Sequence, residues 1–83
     1  IQKKMKKCMT DLDIGQKATV VGFDKFDHNT ERLMQMGLVE GTIVQVIRLA
    51  PTGDPVEVLV DNYSLSVRRA DAELILVEPS STQ

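Results

Sequence analysis

The sequence predicts a mainly β fold: a small, partly open barrel with one short α-helix between the first and second core strands. Three observations predict it. Residues 63–67 alternate apolar and polar side chains, and Val56, Val58 and Val60 recur at the same period of two that half-buried strands require. Breaker clusters at 11–16 and 50–55 cut the chain into short segments. Only one stretch, around residues 30–36, spaces its apolar residues as a helix does. At 83 residues such a chain buries roughly 60 % of its unfolded surface, enough for one core. The expected organisation is a domain over 11–78, a basic arm over 1–10 and a frayed end over 79–83.

The arm has no clear period and reads as a loose segment or a short edge strand. Residues 11–16 form a turn in which Gly15 can take a positive φ. Residues 17–23 are short and contain several β-formers, hence a strand. Their apolar side chains fall on both faces, which suits a curved sheet. Residues 24–29 are polar and turn-like apart from Phe26. Leu33 and Met36, three apart, share one helical face, while Glu31, Arg32 and Gln35 face water. Asn29 is the preferred N-cap and Asp27 the alternative, with Gly37 placed to end the helix. A two-turn helix is unstable alone, so Leu33, Met36 and Leu38 must hold it on the barrel. Of Met34 and Met36, at least one belongs to the core, and Met34 is expected to be exposed.

Residues 42–49 make the next strand and 50–55 an ordered loop. Val56, Val58 and Val60 begin a hairpin that turns at Asp61 and Asn62 and returns through Tyr63, Leu65 and Val67. One helical turn over 69–73 and a closing strand over 74–77 complete the domain.

Composition excludes several functions. Cys8 is the lone cysteine, so an internal disulfide framework is ruled out and a reduced cytosolic thiol is expected. No run approaches the roughly 18 apolar residues of a membrane span. The net charge of −2 hides an asymmetry: without Lys3, Lys4, Lys6 and Lys7 the remainder carries −6. An acidic body lacks the basic patch that phosphate backbones need, so nucleic acid is not an expected partner. The lysine tail reads as a solvated end, or as a segment attracted to anionic lipid.

Catalytic chemistry has no focus. His28 is the lone histidine and stands in no nucleophile–base arrangement. The glycines form no phosphate-binding loop, and three aromatic residues are too few for a base-stacking row. The expectation is therefore no enzyme and no resident cofactor. Asp24, Asp27, His28 and Glu31 are weak candidates for a divalent metal, since their oxygen and nitrogen donors would suit iron(II) or manganese(II). The simpler reading makes them solvated residues, with the acids favoured near a helix N-terminus.

What remains is a binding surface. The runs LMQMGLVEGT at 33–42, APTGDP at 50–55 and YSLSVR at 63–68 resemble the FeoA family, small accessory proteins of bacterial ferrous iron uptake. The likeness spans about residues 12–78. Glu40 departs from the pattern, because the family often has proline before the glycine of that turn. The resemblance implies an SH3-like barrel. It implies contact with the cytoplasmic part of the membrane transporter FeoB, and hence a cytoplasmic location that can include the inner membrane face. A similar module also ends iron- and manganese-dependent repressors, so the alternative is a metal-sensing or regulatory module. Exposure and shape place the partner surface at Arg32, Met34 and Leu38, extended by Pro51 and Asp54. Unpaired strand edges leave a homo-oligomer open.

Overall fold

Alternating valines build the sheet. In the computed structural model, which describes residues 7–80, the chain runs β1 (Lys7–Cys8), a 3-10 turn (Met9–Asp11), β2 (Lys17–Phe23), α1 (His28–Gln35) and β3 (Ile43–Leu49). It continues through β4 (Val56–Val60), β5 (Tyr63–Val67), α2 (Arg69–Ala72) and β6 (Ile75–Pro79). The strands form one antiparallel sheet in the order β1-β6-β2-β3-β4-β5, an open series. Ala18, Val20, Val44, Val46, Val58, Val60 and Ile75 are fully buried on its inner side. β-Branched side chains suit such a half-buried pleat.

The apolar residues on both faces of β2 have a specific cause. Val20 pairs with Val77 and Gly22 with Leu76, which leaves Val21 as an extra residue. β3 repeats the device: Val46 pairs with Val58 and Arg48 with Glu57, leaving Ile47 extra. Each bulge adds twist and bends its strand. Phe23 thus returns to the core after the bulge, whereas Val21 and Ile47 face water.

At the amino end the short edge strand is what forms. β1 pairs with β6, and Met9 just beyond it is fully buried against the core. The Asp11 carboxylate accepts from the Cys8 amide at 3.0 Å and holds the turn between them. Lys3, Lys4 and Lys6 lie outside the described residues. At the other end the sheet runs further than the expected frayed segment. Pro79 is still in β6, and the Ser80 amide donates to the Lys17 carbonyl at 3.0 Å. Residues 81–83 lie outside the described part.

Candidate partner-binding surface

α1 is set on the sheet by its two ends. Asp27, rather than Asn29, is the N-cap. Its Oδ1 accepts from the Thr30 amide at 3.1 Å, while its own amide donates to Thr30 Oγ1 at 2.8 Å. This reciprocal pair is a capping box with threonine in place of the usual glutamate. Thr30 is buried with its hydroxyl satisfied, whereas Asn29 sits inside the helix and faces solvent.

The carboxyl end explains the main difference from the sequence reading. The Gly37 amide donates to the Met34 carbonyl and the Leu38 amide to the Leu33 carbonyl, at 3.0 and 3.1 Å. These two bonds define a Schellman motif, which places a left-handed residue after the helix and packs the next side chain back on the last turn. Gly37 supplies that residue with φ +105°. Leu38 therefore joins Leu33 in the core and is 0 % exposed. It cannot belong to a partner surface, and its assignment there is corrected.

Tyr63 closes this corner from β5. Its hydroxyl donates to the Met36 carbonyl and lies over Gly37. Apolar alternation put Tyr63 with Leu65 and Val67; the ring instead leaves the core to reach the helix end, 44 % exposed.

The outward side of α1 forms a groove with the preceding loop, lined by Phe26, Asp27, His28, Thr30, Glu31 and Met34. Phe26 is 72 % exposed, and its ring stands 6.1 Å from that of buried Phe23. Met34 is half-buried and packs on the core with its inner side. Arg32 is exposed one residue before Leu33. Sequence reasoning missed Phe26 as a surface residue. The available signal was an aromatic in an otherwise polar turn.

The four metal candidates are not brought together. His28 Nδ1 and Glu31 Oε1 come to 4.0 Å on the exposed face. Asp27 is occupied by its cap, and its other oxygen lies 3.9 Å from Lys25 Nζ. Among the described residues no group of three His, Cys, Asp or Glu side chains is placed to hold a metal ion.

Pro51 and Asp54 belong to a separate corner. Asp54 Oδ1 accepts from the Arg69 amide at 3.0 Å, tying the 50–55 loop to the start of α2. Within the loop, the Gly53 amide donates to Ala50 and Thr52 Oγ1 to the Asp54 carbonyl. Pro51 is exposed, while the Asp54 carboxylate is engaged in holding its own loop.

The class these features define is a small bulged open barrel with a groove beside the longer of its two short helices. The chain belongs to the FeoA domain family, whose model matches residues 7–79. It is 34 % identical over 70 residues to the Fe(2+) transport protein A/Fe(2+) transporter FeoB fusion protein of Porphyromonas gingivalis. That alignment covers 84 % of this chain and only 8 % of the fusion protein. The FeoA-like protein of Clostridium acetobutylicum superposes with a TM-score of 0.86 at 31 % identity, covering 98 % of this chain and 94 % of that one. The Stenotrophomonas maltophilia FeoA, an SH3 domain protein solved with zinc, superposes at 0.76 with 24 % identity. The two are covered to 90 % and 91 %, and the likeness establishes an SH3-like fold.

Proposed function

We propose that this chain is a non-enzymatic accessory module of ferrous iron uptake that docks on the cytoplasmic part of a FeoB-type transporter. Its place is then the cytoplasm, at the inner face of the membrane. The observation that carries the reading is the P. gingivalis relative, in which transport protein A and the transporter are one fusion protein. Tethering raises the effective concentration of two modules that work together; separate chains need a surface with affinity of its own. Phe26 and Met34 form the apolar part of that surface, and Arg32 and His28 its polar rim. Aromatic side chains and methionine are enriched in interfaces relative to the rest of a protein's surface. No helix among the described residues is long and apolar enough to cross a membrane.

Calorimetry against the purified cytoplasmic domain of a FeoB-type transporter, in apo, GDP and GTP-analogue states, tests the proposal. Binding is expected in at least one state. Phe26→Asp should weaken it by roughly tenfold or more, as loss of a hot-spot anchor does, with melting temperature unchanged. Absence of binding in all three states, or equal binding by the variant, rejects it.

One observation favours a second reading, a metal-sensing or regulatory module: the S. maltophilia relative was solved with zinc. In this chain the reading rests on His28 and Glu31, a single pair of donors that is too few for a structural zinc site. It therefore calls for weak divalent-ion occupancy. Anaerobic Fe²⁺ and Zn²⁺ titrations followed by the His28 ring resonances should show a shift that Glu31→Gln weakens. A ring unaffected by either metal removes this reading.

A further inference from the structure

The two edges of the sheet are built differently. β1 is two residues long. β5 has five residues and pairs with β4 with no register shift. Only Asp61 and Asn62 separate these strands, so Val60 and Tyr63 close the hairpin as a hydrogen-bonded pair. The alternation that follows turns the peptide groups of Tyr63, Leu65 and Val67 toward β4 and those of Ser64 and Ser66 outward. Beyond them, the Arg68 carbonyl is taken by the Asp71 and Ala72 amides. No strand among the described residues pairs with the outer side of β5.

Proteins blunt such an edge with a bulge, a proline or a lysine. The bulges here lie in β2 and β3, inside the sheet, and the YSLSV run of β5 has neither proline nor lysine. Its outward residues are two exposed serines. We infer that β5 is a homodimer edge, at which two copies pair β5 with β5, antiparallel, about a two-fold axis through Leu65.

In that register Ser64 of each copy faces Ser66 of the other as a hydrogen-bonded pair, giving about four backbone bonds across the axis. Leu65, half-buried in the monomer, meets its own copy, and partly exposed Tyr63 meets Val67. Charge selects a second copy over a foreign strand. Exposed Asp61 precedes β5, whereas Arg68 and Arg69 follow it. The two-fold axis brings each aspartate to the arginine end of the other copy, a match that an unrelated strand lacks.

Sedimentation equilibrium on the full chain tests this. The mass should rise from the 9.2 kDa of one chain toward twice that value with increasing concentration. Ser64→Lys/Ser66→Lys and Ser64→Glu/Ser66→Glu place like charges face to face at the axis. Both serines are exposed, so circular dichroism should show each variant folded. Each should stay at 9.2 kDa alone, and an equimolar mixture should regain the doubled mass. A wild type that stays monomeric up to about 1 mM overturns the inference. So does either variant dimerising alone, or a mixture that fails to associate. If the wild type is monomeric while the variants lose the transporter domain, the edge belongs to that partner and the homodimer is rejected.

Discussion

Replacing Gly37 by alanine perturbs the corner where α1, the turn after it and β5 meet. Two costs can be read from the structure. At φ +105° an L side chain is strained, at about 1–2 kcal/mol. The new Cβ would also lie 2.6 Å from Tyr63 Oη, so the hydroxyl must leave the Met36 carbonyl, and a lost hydrogen bond costs about 1 kcal/mol. Gly37→Ala should therefore lose about 2–3 kcal/mol. For a domain of this size that lowers the melting temperature by roughly 10–20 °C. Tyr63→Phe alone should cost about 1 kcal/mol. In the double variant the clashing oxygen is gone and the hydrogen bond is lost only once. The double variant should then fall about 1 kcal/mol short of the sum of the singles. Urea denaturation of all four proteins measures the cycle. A Gly37→Ala loss below about 0.5 kcal/mol, or additivity within about 0.3 kcal/mol, would refute the close approach of Tyr63 to this turn.

Three further outcomes are expected. Asp27→Ala removes the N-cap of α1 and should cost about 1 kcal/mol in chemical denaturation, whereas Asn29→Ala, at an exposed position, should be near neutral. Leu38→Ala opens a cavity in the core and should cost about 2–5 kcal/mol; a small loss accompanied by lost partner binding would return Leu38 to the surface. Asp54→Ala frees the Arg69 amide, whose hydrogen exchange, read by NMR, should accelerate about fivefold while the amides of β2 and β6 keep their protection.

The strands were legible because their signals are local. Side-chain alternation and β-branched content locate β2, β4 and β5 without knowledge of their neighbours. Asp27 was less legible, since its box uses Thr30, and the preference for Asn29 ignored the reciprocal bond that only a residue three before Thr30 can make. The surface was half legible. Arg32 lies outward as expected, whereas Met34, expected to be exposed, is half-buried against the core. Leu38 read both as packing α1 on the barrel and as part of the partner surface, and the Schellman geometry decides for burial. Asp54 reads as a surface acid, and its role as an acceptor for α2 depends on a residue fifteen positions away.

By itself the sequence determined a small, mainly β chain with one short helix, an acidic body and no assembled catalytic set. Those properties follow from composition and from spacings of a few residues. Tertiary structure decided which residues bulge, how Phe26 and Met34 share a groove, and that Tyr63 caps a helix end 27 residues earlier in the chain. Each of these depends on strand register and on packing between distant segments, where a shift of one residue sends a side chain to the opposite face.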